Sequence, residues 1–441
     1  MHDRPKRATM GPMTPLRLVA CLLCLTFASA PGAQAPDPDW RQLNREARAQ
    51  AKAGDYAALR ETLKLLKRSL PGSPTLAYNL AASAAHLGNL EGTLSPLWEL
   101  RDAGLVYDLD ADADFATMLS DANVKTLRDQ LKANSQPVGQ ATRLMTFAAT
   151  DALPESLAWD ERTQRLFVSD VRHCEIRVYS DPAREPVTQR RFAQLPASVF
   201  ALGIDAKRQR LWATIATVPQ ADGCGEGAPS AERTALVALD LKTGRVVRRV
   251  EAGLPGVLGD MLVAGDGTVF VTESVHGAVL RLRPGAKAFD RIDVAGEFAS
   301  PQTPVLTPDG SALIVPDYVR GIAVIRLRNC PCGAWFPVNG PGVFTAGIDG
   351  LAIDGGTLLA VQNGTSPPRV MKFAIDLSRQ RVLESNTPGL GEPTHAIVVD
   401  HALWFIADVG WDRFEESGRR KDGAPPSHAE LRRIELTPDR P

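Results

Sequence analysis

Two spacings of hydrophobic residues divide the chain, one helical and one typical of short strands. Between residues 37 and 137, apolar side chains recur three or four positions apart, as at Leu59, Leu63 and Leu66. The sequence PGSP at residues 71–74 interrupts this pattern with a turn. This region is therefore predicted to form a domain of α-helices joined by short turns.

From residue 141 onward, short apolar strands separated by polar turns replace the helical spacing. Residues 302–327 show the unit most clearly, because two strands flank the turn PDG and a third follows a polar loop. Similar units recur at intervals of about 45 residues, which is typical of four-stranded propeller blades. The units predict an all-β six-bladed β-propeller over residues 141–437. Its last unit lacks a fourth strand, which residues 143–147 are predicted to supply.

The first 35 residues have the pattern of an export signal. Arg4, Lys6 and Arg7 precede an apolar run at residues 18–27 that is too short to span a bilayer, and small residues follow it. Beyond this segment the sequence has no apolar run of membrane length. We expect residues 1–35 to be a signal peptide and the mature protein to be periplasmic or secreted, without a membrane span.

Composition and cysteine content narrow the function classes. The 441 residues carry 50 basic and 51 acidic side chains, and this balance provides no field that would attract nucleic acid. Four cysteines follow the signal, an even number that suits disulfides in an oxidising compartment. They allow three pairings, of which we favour Cys174 with Cys224, between adjacent repeats. Cys330 and Cys332 are expected to stabilise a surface loop rather than to bind metal.

The helical region contains two helix–turn–helix units of about 34 residues that resemble tetratricopeptide repeats. The resemblance rests on the segments GDY at 54–56, AYNLA at 77–81 and LG at 87–88. It implies a surface that either docks a protein partner or packs against the following domain.

Strand direction places the polar loops of all blades on one face. Strands in a blade alternate in direction, so the entry to the first strand and the loop between the second and third lie together. The entry residues form an inner ring: Glu155, Asp260, Gln302, Asp349 and Glu392. The loops form an outer ring: Asp170, Arg172, Glu273, Asp317, Tyr318, Arg320, Gln362, Asn363, Asp408 and Trp411. The outer ring and Glu392 are predicted to bind substrate.

The segments ESLAWD at 155–160 and IDGLAID at 348–354 resemble the SMP-30/gluconolactonase/LRE-like propeller family. The resemblance implies one divalent metal at the mouth of the central channel. Its implied ligands are Glu155, Gln302, Asp349 and Asp260, with Asp349 or Asp260 as the general base. Oxygen ligands of this kind favour calcium, with magnesium or manganese as alternatives.

Two functions follow as expectations. The first is a metal-dependent hydrolase of a lactone, an ester or a related sugar-like ligand. The second is a propeller without catalysis that binds a ligand or, through the helical domain, a protein partner. The acidic entry residues could instead only cap strand ends. His173, His276 and His395 could together bind zinc, although independent histidines are favoured.

Overall fold

The computed structural model describes most of the chain. The described residues are 39–147, 151–184, 186–224, 234–328, 333–426 and 429–436. The predicted signal peptide, Cys330 and Cys332 lie outside these ranges. None of the helices within them combines the length and apolar content needed to cross a bilayer.

The predicted helical domain is present. Its α-helices are α1 (Trp40–Ala53), α2 (Tyr56–Ser69), α3 (Pro74–His86), α4 (Leu90–Asp102) and α5 (Ala122–Ala133), with a 3-10 turn at Ala113–Phe115. Each α-helix begins after a polar residue whose side chain accepts a hydrogen bond from a first-turn amide, as Ser73 does from Leu76. The apolar faces bury Leu63 and Leu97 between the helices. Whether these helix pairs are tetratricopeptide repeats stays a prediction.

The strands form six antiparallel four-stranded sheets, which confirms the six-bladed propeller. Blade 1 comprises β2 (Pro154–Asp160), β3 (Arg165–Asp170), β4 (Glu175–Ser180) and β5 (Gln189–Gln194). Blade 2 comprises β6 (Ser198–Asp205), β7 (Arg210–Ala216), β8 (Ala235–Asp240) and β9 (Val246–Glu251). Blade 3 comprises β10 (Leu258–Val263), β11 (Val269–Glu273), β12 (Ala278–Leu282) and β13 (Asp290–Arg291). Blade 4 comprises β14 (Val305–Leu306), β15 (Ala312–Asp317), β16 (Gly321–Arg326) and β17 (Ala334–Trp335). Blade 5 comprises β18 (Ile348–Asp354), β19 (Thr357–Gln362), β20 (Arg369–Ala374) and β21 (Gln380–Ser385).

The sixth blade closes the ring with strands from both ends of the propeller. It comprises β22 (Ala396–Val399), β23 (Ala402–Ile406), β24 (Glu430–Glu435) and β1 (Thr142–Thr146). Strand β1 pairs with β24 as predicted, with Thr142 opposite Arg433 and Thr146 opposite Glu430. This pairing covers the outer edge of β24 and joins the two ends of the propeller within one blade.

The helical domain packs on the propeller face that carries the blade-entry loops. Arg369 at the start of β20 is fully buried and donates to the carbonyl of Ala103, at 2.6 Å. The carbonyl of Gly72 accepts from the amides of Thr345 and Ala346, both at 3.0 Å. The described hydrogen bonds between the two domains all go to blades 3, 4 and 5. The helices therefore lie over one side of the face.

Candidate functional site at the channel mouth

Four carboxylates from four blades meet where the central channel opens. Glu155, Asp260 and Asp349 lie on β2, β10 and β18, and Glu392 lies just before β22. The pairing of each of these three strands with its neighbour shifts register at or beside the acidic residue. Such bulges turn a side chain out of the regular alternation, and they are frequent beside active sites. The local irregularity thus directs the carboxylates toward the channel.

Burial and mutual repulsion favour the protonated forms of this carboxylate cluster. Burial, reinforced by the charge of Asp349, raises the pKa of Asp260 to about 7. Burial also raises the pKa of Asp349 to about 6 and that of Glu392 to about 7. The pKa of Glu155 lies well above its usual range, because it is buried and faces the other three carboxylates.

The described part of the chain places no basic partner against the cluster. Among the described residues, none of the four carboxylates takes part in an ion pair within 4.0 Å. Four acidic groups that share a small space without a cation repel one another strongly. The arrangement is therefore costly for the fold alone, which points to a use for the negative charge.

Neutral side chains hold one oxygen of each of three carboxylates. The indole Nε1 of Trp411 donates to Glu155 Oε2 at 2.9 Å. The Thr303 hydroxyl donates to Asp260 Oδ1 at 2.6 Å, and Asn363 Nδ2 donates to Asp349 Oδ2 at 2.8 Å. These donors orient the carboxylates without bringing a positive charge to them.

Tyr318 extends this support by one step. Its hydroxyl donates to Asn363 Oδ1 at 2.9 Å, and Asn363 Nδ2 also reaches the carbonyl of Pro393 at 3.0 Å. Burial raises the pKa of Tyr318 to about 12, so the phenol stays protonated and remains a donor. Of the predicted outer ring, Asn363 and Trp411 therefore contact inner carboxylates directly, and Tyr318 supports one of them through Asn363.

At the fourth blade, the residue that reaches the carboxylate cluster differs from the predicted one. The side-chain amide of Gln302 donates to the hydroxyl of Ser300 at 3.0 Å and so turns back to its own loop. The next residue, Thr303, contacts Asp260 instead. The family's metal pattern predicts Gln302 as the ligand, whereas in this loop before β14 the side chain of the next residue reaches the cluster. Thr303 replaces Gln302 in the candidate site.

Five predicted outer-ring residues lie beneath the loops rather than on the face, which corrects their placement. They are Asp170, Glu273, Asp317 and Gln362, which are buried, and Asp408, which is half-buried. Asp317 is fully buried and accepts from four backbone amides, including those of Ala299 at 2.6 Å and Arg320 at 2.9 Å. Glu273 is fully buried as well and accepts from three amides. The four acidic residues of this set each connect a blade entry to a neighbouring loop. The side-chain amide of Gln362 donates to two carbonyls near the entry of its own blade.

The two arginines of the outer ring also hold loops together. Arg172 donates to Asp222 Oδ2 at 2.7 Å, and a disulfide joins Cys174 to Cys224, the pairing favoured from the sequence. Both contacts fasten the insert of blade 2 to blade 1. Arg320 donates to the carbonyl of Glu297 and stacks over Phe336 at 3.8 Å.

The three candidate histidines do not come together. His173 pairs with Asp170 at 2.7 Å, and His276 lies 3.6 Å from Glu273. His395 lies in the channel, where its Nδ1 accepts from the amide of Leu157 at 3.3 Å. Burial lowers the pKa of His395 to about 4, so this ring is neutral.

The donor set fits a hard divalent cation by its chemistry. Carboxylate oxygens are the ligands that calcium, magnesium and manganese prefer. Within the described ranges, no three Asp, Glu, His or Cys side chains converge closely enough to form a metal site as they stand. Below the cluster, the channel forms a cavity of about 500 Å³ whose walls are mostly apolar side chains such as Met261 and Leu351.

Comparison with known proteins shows no family for this chain. No family model and no curated protein matches the chain. A gluconolactonase from Xanthomonas campestris is 17% identical, with 68% of this chain and 92% of that chain covered and a TM-score of 0.46. Regucalcin from Agrobacterium tumefaciens, a calcium-binding protein, is 15% identical over 68% and 94% of the two chains, with a TM-score of 0.48. A PQQ-bound aldose sugar dehydrogenase from Streptomyces coelicolor is 12% identical over 68% and 99%, with a TM-score of 0.44.

Proposed function

We propose that this protein is an exported hydrolase of lactones or related esters, with its reaction centre at the four-carboxylate cluster. The proposal rests on one observation above all. Glu155, Asp260, Asp349 and Glu392 lie together without a basic partner in the described structure, and their pKa values are raised. Strongly perturbed acidic groups at a channel mouth are typical of functional sites.

One divalent cation, calcium in the first instance, would be held by Glu155, Asp260 and Asp349, with Thr303 beside them. Such a cation polarises a carbonyl group and makes a bound water more acidic. The chain itself supplies the orientation, since Trp411 and Asn363 hold the carboxylates. A carboxylate beside such a cation can accept a proton from the bound water, which suits Asp349 or Asp260 as general base.

The rim of the site suits a small, partly apolar ligand such as a sugar lactone. Trp411 stacks on Phe200 with ring centroids 6.4 Å apart and remains half-exposed beside Glu155. Aromatic faces of this kind pack against the apolar faces of sugar-like rings. Because the helices lie over blades 3 to 5, access is expected from the side of blades 6, 1 and 2.

Export is the proposed location. The basic and apolar pattern at the start of the sequence supports a signal peptide. The disulfide between Cys174 and Cys224 agrees with an oxidising compartment.

Hydrolysis of a panel of aldonolactones and simple esters by the purified protein tests the proposal. We expect turnover that EDTA abolishes and that added calcium, magnesium or manganese restores. Absence of hydrolysis with every cation would overturn the enzyme assignment. Saturable cation binding without hydrolysis would favour the alternative function, a propeller that binds a ligand or a protein partner.

A further inference from the structure

A second cavity lies between the two domains. Its volume is about 600 Å³, within the roughly 300–1,000 Å³ of typical small-molecule sites. Helix α2 and the start of α3 form one wall, and residues 338–344, which precede β18, form the other. Since each domain supplies one wall, the cavity exists only because the domains are docked.

The interior of this cavity is apolar. Leu70, Leu76, Val343 and Phe344 line it, and each is at least nine-tenths buried. Val338 stands at the opening and is 84% exposed, the largest exposure among the large hydrophobic residues of the described structure. Apolar walls that lead to an exposed valine favour a ligand with an aliphatic chain, because that chain removes apolar surface from water.

The opening is positively charged. Lys64, Lys67 and Arg68 line it from α2, and Glu99 is the acidic residue among the described lining. Lys64 pairs with Glu61 at 2.6 Å, and Lys67 lies 3.8 Å from Glu99. The side chain of Arg68 makes no hydrogen bond or ion pair within the described ranges. A guanidinium at the mouth of an apolar cavity is suited to a carboxylate.

We propose that this interdomain cavity binds a free medium-chain aliphatic carboxylate. Its chain lies among Leu70, Leu76 and Phe344, and its head group lies at Arg68 and Lys67. The site is separate from the carboxylate cluster, whose negative charge would repel such a ligand. The proposal therefore holds or fails independently of the hydrolase activity.

Calorimetric titration of the two-domain protein with octanoate, and with 1-octanol as the neutral analogue, tests this assignment. We expect one octanoate per chain and at least tenfold weaker binding of 1-octanol. Arg68→Glu and Val338→Asp are each expected to weaken octanoate binding at least tenfold, and both residues are exposed enough to be changed without unfolding the protein. Asp349→Asn should leave octanoate binding unchanged.

Lys125→Glu is the matched control, because it makes the same change of charge at an exposed position on α5 outside the cavity. It is expected to bind octanoate as the wild type does. The proposal is overturned if octanoate does not saturate or if 1-octanol binds equally well. Equal weakening by Lys125→Glu and Arg68→Glu would also overturn it, because general charge would then explain the effect.

Discussion

The inner and outer carboxylates of the propeller face have the same chemistry but opposite surroundings. Glu273 in the outer ring accepts from three backbone amides at 2.8–3.1 Å. Asp349 in the inner ring is oriented by the side chains of Asn363 and Thr394 and lies beside other carboxylates. Backbone amides satisfy a buried negative charge permanently, whereas neighbouring carboxylates leave it for a cation. The outer carboxylates therefore stabilise the fold, whereas the inner ones are available for binding and catalysis.

Removal of an inner carboxylate should strongly reduce activity with little loss of stability. For Asp349→Asn we expect kcat/KM for lactone hydrolysis to fall roughly 10²- to 10⁴-fold, the range for loss of a general base. Asp309→Asn, at an exposed turn of blade 4, changes the same chemical group outside the cluster and should retain activity. Equal rates for Asp349→Asn and the wild type would remove Asp349 from the reaction.

Removal of an outer carboxylate should have the opposite result. Glu273→Ala leaves three partly buried amides without an acceptor. Because water can reach these amides in part, each is expected to cost about 1 kcal/mol, the lower end of the range for an unsatisfied donor, so we expect the free energy of unfolding to fall by roughly 3 kcal/mol. Urea unfolding measures this loss. Glu273→Gln keeps an acceptor oxygen and should lose less. If Glu273→Ala were as stable as the wild type but inactive, the division between the two rings would be wrong.

Trp411 is one of the side chains that orient the inner carboxylates. Trp411→Phe keeps an aromatic ring but removes the donor to Glu155 Oε2. We expect cation affinity to fall roughly 10- to 100-fold, as is typical when a group that orients a ligand is lost. Calcium titration of the variant measures the change. Unaltered affinity would show that the indole only covers the site.

Stability without a cation should fall as the pH rises. The pKa values of about 6 to 7 at Asp349, Asp260 and Glu392 lie above their ordinary values. Between the unfolded and folded pKa values the native protein binds more protons, so this stabilisation is lost as the pH rises through 6 to 7. In EDTA we expect the free energy of unfolding to fall by several kcal/mol between pH 5 and pH 8, since each group loses on the order of 1.4 kcal/mol per pH unit until its folded pKa is passed. Asp260→Asn should flatten this dependence, and an identical dependence in the variant would contradict the assigned pKa of Asp260.

The propeller could be predicted from the sequence because its information is local and repeated. Turns such as PDG and alternating apolar strands recur in each blade, and even the closure by residues 143–147 follows from a strand missing at the other end. The site was only partly predictable. Asp317 and Asp349 both lie at strand ends on the same face, and only packing between blades buries the first against amides.

Two further features depend on contacts between distant residues. Thr303 and Gln302 are adjacent, and the backbone conformation of the loop decides which of the two side chains reaches Asp260. A family motif does not determine that conformation. The docking of the helices rests on pairs such as Arg369 with Ala103, which lie 266 residues apart. In the sequence, Arg369 is recognisable only as the first residue of a predicted strand, and no motif around it indicates a contact with Ala103.

Calcium titration of the EDTA-treated protein at pH 7.5 tests the central claim most directly, because the claim is that the inner carboxylates form a cation site. The account predicts one calcium ion per chain, saturable binding with loss of the affinity in Asp349→Asn, and unchanged binding in Asp309→Asn. Absence of saturable binding of calcium, magnesium or manganese, or equal affinity in Asp349→Asn, would contradict it.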